Sequence, residues 1–94
     1  MFEWDPRKAE ANAGKHGVSF DDAVSVFLDH NARDGPDVQH STAEQRFLRL
    51  GRAADGRVLM VAYTLRRTGD AEAIRIISAR RASRRERAAY ASET

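Results

Sequence analysis

The sequence predicts an α+β domain with a short N-terminal strand, two helices, an antiparallel sheet of three to four strands and a C-terminal helix. Three observations predict it: capped helical segments fill the first third, alternating strands joined by turn residues follow, and a capped basic segment ends the chain. A chain of 94 residues supports one hydrophobic core, so residues 1–94 are expected to form one domain.

The first strand and helix are indicated by residues 2–17. Residues 2–4 alternate aromatic and acidic side chains, which is typical of a short strand. Asp5 is a good N-cap, and Pro6 suits the first helical position because its missing N–H has no partner there anyway. Gly17 is a natural left-handed helix stop, so the helix is expected to end just before it.

A second helix is predicted to start at once. Ser19 with Asp22 resembles a capping box. Apolar residues recur at helical spacing and predict one core-facing stripe: Phe20, Ala23, Val24, Phe27 and Leu28. Residues 29–43 are polar and are interpreted as a loop, with an edge strand around residues 32–34.

The sheet is predicted from residues 46–79. Residues 46–52 alternate, Asp55-Gly56 is a hairpin signal, and residues 58–65 form the longest apolar run, which favours a central strand. A turn at residues 68–70 leads to a strand over 74–79. Ser83 and Glu86 form a second capping box, which predicts the last helix over residues 84–91.

Charge is distributed unevenly along the chain, with an acidic first half and a basic second half. Residues 1–45 carry 4 basic and 9 acidic side chains, whereas residues 46–87 carry 12 arginines and 4 acids, giving −5 and +8. Arginines gathered on rigid elements favour a phosphate-binding surface, although a solvated basic helix face explains the run equally well. The absence of cysteine excludes disulfides and thiolate metal sites, and with no apolar run long enough for a membrane span the chain is expected to be cytoplasmic.

Several side chains are candidates for binding or catalysis. Strict strand alternation places Arg75 on one face with Arg81 and places Arg80 on the other. A guanidinium within the apolar strand is costly unless paired, so both a salt bridge and phosphate binding remain open for Arg75. The three histidines have no metal-ligand spacing, which argues against a metal site. His16, at a helix end, fits either a packing role or catalysis.

The chain resembles the BrnT-type toxin family in two blocks. The first is Phe-Glu-Trp-Asp-Pro-Arg-Lys-Ala at residues 2–9 with Asn12 and the segment Lys-His-Gly-Val-Ser-Phe-Asp-Asp-Ala at 15–23. The second is Ile-Arg-Ile-Ile-Ser-Ala-Arg-Arg-Ala at 74–82, followed by Arg-Arg-Glu-Arg and Tyr90. Residues 29–45 match only loosely.

The resemblance implies a RelE-like fold and a bacterial type II toxin that cleaves RNA and arrests translation. It implies a metal-independent endoribonuclease without a cofactor, in which a ribose 2′-hydroxyl attacks the adjacent phosphate. It also implies neutralisation by a BrnA-type antitoxin with a ribbon-helix-helix domain, through which alone the toxin would meet operator DNA.

The resemblance also suggests roles for individual residues. The expected phosphate ligands are Arg46, Arg66, Arg75 and Arg80. Glu44 or His16 is the expected general base, and Tyr90 is a further candidate for proton transfer. Four arginines are expected to contact RNA or the antitoxin: Arg81, Arg84, Arg85 and Arg87.

Two other classes of function stay open on the sequence. The same basic face suits a non-catalytic nucleic-acid-binding module or co-repressor, which binds RNA or DNA with strong salt dependence and cleaves nothing. It also suits a pure interaction protein whose basic groove accepts an acidic antitoxin segment. Cleavage of naked RNA in a chelator would identify the ribonuclease toxin, whereas intact RNA would leave either a ribosome-dependent nuclease or a binding protein.

Overall fold

A computed structural model describes residues 1–92, and residues 93 and 94 of the predicted domain lie outside that range. The chain forms β1 (Phe2–Glu3), α1 (Pro6–His16), α2 (Phe20–Ser25), β2 (Arg33–Pro36), β3 (Arg46–Arg52), β4 (Val58–Thr68), β5 (Ala71–Arg81) and α3 (Arg84–Ser92). Short 3-10 turns lie at Val26–Leu28 and Val38–His40. The α+β prediction is confirmed, and the order of elements is compatible with a RelE-like fold.

The predicted helix caps are present. The side chain of Ser19 accepts a hydrogen bond from the Asp22 N–H at 3.0 Å, and Gly17 ends α1 with φ 67°. In the second capping box the Glu86 N–H donates to Ser83 Oγ at 3.1 Å, while the Ser83 N–H donates to Glu86 Oε1 at 2.8 Å. These local signals set where each helix begins or ends.

Within residues 1–92 the sheet has five strands in the order β1-β5-β4-β3-β2. Strands β2 to β5 form the predicted antiparallel part with four strands, and the predicted N-terminal strand β1 joins as the fifth. The apolar run in β4 occupies the centre, as predicted. β1 pairs in parallel with β5, whereas the other neighbours are antiparallel. The edge strand β2 lies at Arg33–Pro36 instead of 32–34 and pairs with β3.

The main core lies between one face of the sheet and helices α1 and α2. Its fully buried side chains include Phe20, Leu59 and Ile76. The prediction that Leu28 faces this core is wrong, because its side chain is 80% exposed. The α-helix ends at Ser25, and the tighter 3-10 turn that follows breaks the 3.6-residue period on which the predicted stripe depended.

Helix α3 covers only one end of the opposite face of the sheet. There Tyr90 and Ala82 pack against Leu50 and Val58, with Met60 beside them. We call this side of the sheet the open face, since no helix within residues 1–92 packs on the part away from α3. Polar and charged side chains of β3, β4 and β5 are therefore presented there.

A bulge in β5 changes which arginines share that face. Tyr63 pairs with Ile76, but its neighbour Ala62 pairs with Ser78, so Ile77 is an extra residue in β5. The predicted alternation is therefore wrong beyond Ile76, because a bulge shifts the side-chain period by one position. Arg75 and Arg80 both project from the open face, and Arg81 projects from the opposite face.

Candidate active site

A cavity of about 320 Å³ lies on the open face beside α3. Its apolar lining comes from the sheet: Leu48, Met60, Ala62, Ile77 and Ala79. Its polar lining comes from strand ends and the flanking elements: His16, Asp37, Gln39, His40, Arg46, Ser78 and Arg80. The cavity thus gathers two imidazoles and two guanidinium groups from four separate parts of the chain.

His40 is held by a buried carboxylate. Asp37 is 8% exposed, and its Oδ2 lies 3.0 Å from His40 Nδ1. The Asp37 backbone is fixed in turn, because its N–H donates to the Arg46 carbonyl at 2.8 Å and its carbonyl accepts from Ser41 Oγ at 2.6 Å. An ionised carboxylate only accepts hydrogen bonds, so Nδ1 is assigned the hydrogen and Nε2 is left free for proton transfer.

Arg46 opens β3 and supplies the first guanidinium group. Its Nε is buried and has no hydrogen-bond partner within residues 1–92. A buried N–H without a partner is uncommon in folded proteins and costs free energy. An anion in the cavity would supply the missing acceptor, and arginine suits phosphate because its donors are planar and permanently charged.

Arg80 is fixed by the first turn of α3. Its Nη1 and Nη2 donate to Glu86 Oε1 and Oε2 at 2.7 and 2.9 Å. The bond to Arg80 outweighs partial burial and lowers the pKa of Glu86 to about 2. Since Glu86 also belongs to the capping box with Ser83, the cap of α3 and the position of the Arg80 guanidinium depend on one carboxylate.

His16 reaches the cavity because Asn12 anchors α1 to β5. Asn12 Nδ2 donates to the carbonyl oxygens of Ala79 and Val18 at 2.8 and 2.9 Å, and its Oδ1 accepts from the Ala79 N–H at 3.1 Å. The side chain thus pairs with β5 where β1 no longer covers that edge. His16 comes from beside β5 and His40 from the turn before β3, so the two imidazoles belong to different walls.

The structure brings only some of the predicted catalytic residues together. His16, Arg46 and Arg80 line the cavity. Arg75 lies outside it and binds Glu3 through Nη1 at 2.6 Å. Glu44 lies 4.0 Å from Arg66 Nη2, also outside the cavity.

Tyr90 does not line the cavity. It projects from α3 towards the sheet, is 4% exposed, and its hydroxyl donates to Asp29 Oδ2 at 2.6 Å. That bond, followed by burial, raises the pKa of the Tyr90 hydroxyl. A phenol held neutral in a packed cluster suits the attachment of α3 better than proton transfer to a substrate.

The four arginines expected to bind RNA or the antitoxin are exposed, and they lie on two surfaces. Arg81 projects from the face of the sheet opposite Arg80. Arg84, Arg85 and Arg87 lie on α3, and Arg87 Nη1 also donates to the Ala82 carbonyl at 2.8 Å. The three arginines of α3 form one basic surface, and none of the four lines the cavity.

Sequence reasoning missed Asp37, Gln39, His40 and Ser78. Segment 29–43 was interpreted as a loop with an edge strand around residues 32–34. The acid at i with the histidine at i+3 becomes meaningful only when a turn brings them together. The direction of the Ser78 side chain depends on the bulge at Ile77, which shifts the alternation of β5 by one position. The one available signal was the spacing of Asp37 and His40.

Two kinds of feature are absent from residues 1–92. No group of three or more His, Cys, Asp or Glu side chains could hold a metal ion. No helix in the described part of the chain is both long and apolar enough to cross a membrane.

Comparison with known proteins identifies similar chains. A family model described as ribonuclease toxin, BrnT, of type II toxin-antitoxin system matches residues 4–86. The crystal structure of the Brucella abortus ribonuclease toxin, BrnT, is similar with a TM-score of 0.66 and 30% sequence identity, over 89% of this chain and 99% of that chain. A search of curated proteins found no match.

Proposed function

The chain belongs to the BrnT family of ribonuclease toxins of type II toxin-antitoxin systems, and from that premise we propose that it is an endoribonuclease that cuts RNA in the open-face cavity without a metal ion. The observation that carries the proposal is the convergence of His16, His40, Arg46 and Arg80 on one cavity. Two proton-transfer groups beside two phosphate ligands are what a metal-independent phosphotransfer at RNA requires.

The reaction assigns one role to each side chain. His40 Nε2 accepts the proton of the ribose 2′-hydroxyl, and the carboxylate of Asp37 stabilises the imidazolium that forms. The 2′-oxygen then bonds to the adjacent phosphorus while the bond from phosphorus to the 5′-oxygen breaks. Protonated His16 gives its proton to the departing 5′-oxygen, so the products carry a 2′,3′-cyclic phosphate and a 5′-hydroxyl.

The arginines stabilise the charge that develops on the phosphorane. Arg46 has a buried Nε with no partner within the described residues, so it can bind an anion without first breaking a bond at that atom. Arg80 is held by both of its terminal nitrogens, which orients it before substrate arrives. Donors already in place need little reorganisation during the reaction, which is the usual source of electrostatic catalysis.

The test is cleavage of naked RNA by the purified protein in the presence of a chelator. General acid and base catalysis contribute about 10²–10⁴-fold each, so His40→Ala and His16→Ala should each lower the rate by at least ~10²-fold. His30→Ala is the matched control, because His30 is an exposed histidine outside the cavity lining. The expected products are cyclic phosphates.

Two outcomes would contradict the proposal. Full activity in both His16→Ala and His40→Ala would remove the assigned acid and base. Intact RNA together with salt-dependent RNA binding would instead support a non-catalytic binding module.

The family also points to an antitoxin partner. The proposal includes a cytoplasmic protein that inhibits translation and is neutralised by a BrnA-type ribbon-helix-helix antitoxin, with operator DNA bound only through that partner. The exposed arginines of α3 support an acidic contact surface on such a partner. Co-purification of the two proteins, and loss of RNA cleavage in the complex, tests this part.

A further inference from the structure

The hairpin of β4 and β5 extends beyond the rest of the sheet. The first residue of β3, Arg46, pairs with Thr64, and the two residues of β1 pair only with Ile74 and Arg75. Residues 65–73 therefore form a two-stranded arm, and within residues 1–92 no strand other than β4 and β5 takes part in its pairing. Apart from Ala73, its residues are exposed.

Three arginines mark the open face from the cavity to this arm. Arg80 pairs with Met60, Arg75 pairs with Thr64, and Arg66 pairs with Ala73. Met60, Thr64 and Arg66 are an even number of positions apart on β4, so their side chains share one face. At about 3.4 Å per residue, the six positions from Met60 to Arg66 span ~20 Å.

Arg66 is the most available of the three guanidinium groups. Its ion pair with Glu44 is long, at 4.0 Å, and the two side chains are 49% and 42% exposed. Arg75 and Arg80 are held by carboxylates at 2.6 and 2.7 Å. A loose exposed ion pair contributes little to stability and gives way easily to a phosphate.

We infer that the open face is an extended RNA track, in which Arg75 and Arg66 bind phosphates of the strand beyond the cleaved nucleotide. The inference rests on the proposed function and adds a distal subsite to it. A stacked strand rises about 3.4 Å per nucleotide, so the ~20 Å track accommodates about six stacked nucleotides and fewer extended ones. Arg66 is thereby assigned to substrate binding and not to the chemical step.

The same arm provides a matched control. Arg67 pairs with Glu72 in the ladder, lies 3.9 Å from its carboxylate and projects from the opposite face. Arg66→Ala and Arg67→Ala make the same change in net charge on adjacent residues of one strand. Only Arg66→Ala removes a cation from the track. A difference in RNA binding between the two variants therefore shows that the face on which the cation lies matters, and not only the overall charge.

The experiment measures binding of 2′-O-methyl oligoribonucleotides, which lack the attacking hydroxyl, as a function of salt and length. Each phosphate contact to a single strand contributes about −0.7 to the slope of log K against log salt. Arg66→Ala should make this slope shallower by about 0.7 for strands longer than the track and leave it unchanged for a dinucleotide. Arg67→Ala should behave like the wild type with both lengths.

The proposal of an RNA track would be contradicted if Arg66→Ala bound the long strand like the wild type. It would also be contradicted if Arg67→Ala weakened binding as much as Arg66→Ala. Because the oligonucleotide cannot be cleaved, the result does not depend on catalysis. The predicted difference, combined with intact RNA in the cleavage test, would support the track and overturn only the catalytic proposal.

Discussion

Arg75 and Arg80 lie on the same face of the sheet, although an odd number of positions separates them, because Ile77 is an extra residue in β5. Each guanidinium is held by a carboxylate from another element, Arg75 by Glu3 of β1 and Arg80 by Glu86 of α3. The bulge thus places two oriented cations on one surface, where regular alternation would have separated them.

Asp37→Asn tests the orientation of His40. An asparagine amide can donate to Nδ1 and favour the wrong tautomer, so we expect kcat to fall by about tenfold or more, but less than in His40→Ala. The pH–rate profile should change on the limb that reports the base. An unchanged kcat and profile would show that the pair only supports the turn, and thermal unfolding of the variant checks its fold.

Glu86→Gln tests the link between the α3 cap and Arg80. The pKa of Glu86 falls from 4.5 to about 2 on folding, so its stabilising effect is complete above pH 4.5 and is lost as the pH falls towards 2. We expect the free energy of unfolding of the wild type to fall by up to about 1 kcal/mol between pH 4.5 and 2, a modest amount because the ion pair is partly exposed. Urea unfolding at several pH values measures the difference in free energy of unfolding between wild type and variant. This difference should disappear at low pH, and a constant difference would contradict the linkage.

Asn12→Ala tests the attachment of α1 to the edge of β5. The substitution removes three hydrogen bonds made by one buried side chain. A buried group left unsatisfied costs about 1–3 kcal/mol, so we expect a loss of about 3 kcal/mol in the free energy of unfolding. Asn31→Ala, at an exposed position, is the control and should change it by less than about 0.5 kcal/mol. Equal losses would contradict the role of Asn12.

Gly51→Ala tests the packing of β3 against the 3-10 turn at Val26–Leu28. A methyl group at Gly51 would lie 2.8 Å from Ala32 Cβ and 2.8 Å from Val26 Cγ1. Overpacking of this kind costs about 1–3 kcal/mol. Gly14→Ala is the opposite control, because its added methyl group meets nothing within 4 Å and alanine favours the helix. Denaturant unfolding should therefore show a lower free energy of unfolding for Gly51→Ala and a higher one for Gly14→Ala.

Tyr63 and Tyr90 should both titrate above the ordinary tyrosine pKa. Burial and then the hydrogen bond to Asp34 raise the pKa of Tyr63, while the bond to Asp29 and then burial raise that of Tyr90. Their stabilising effect is complete below the unfolded pKa of about 10 and is lost as the pH rises through the folded values. In ultraviolet titration, the midpoint of tyrosinate formation should lie at higher pH in the folded protein than in the urea-unfolded chain. A midpoint at the unfolded value would contradict the contacts.

Much of the fold could be predicted because its signals are local. The caps at Ser19 and Ser83, the stop at Gly17 and the central strand β4 each depend on neighbours within a few residues. The prediction that Leu28 is buried was wrong because α2 changes to a 3-10 turn after Ser25. That change depends on packing against β3 rather than on helix periodicity. The parallel pairing of β1 was also missed, since a two-residue strand carries no register signal of its own.

The candidate site was predicted only in part. His16, Arg46 and Arg80 were named from residue type and family pattern, whereas His40 was not, because its significance depends on the buried carboxylate of Asp37. The sequence by itself determined where the helices begin, where α1 ends, the central strand and the arginine-rich half, since these follow from contacts along the chain. Only the tertiary structure decided which arginines share a face and which histidines share a cavity, because one extra residue in β5 and one turn before β3 set the direction of those side chains.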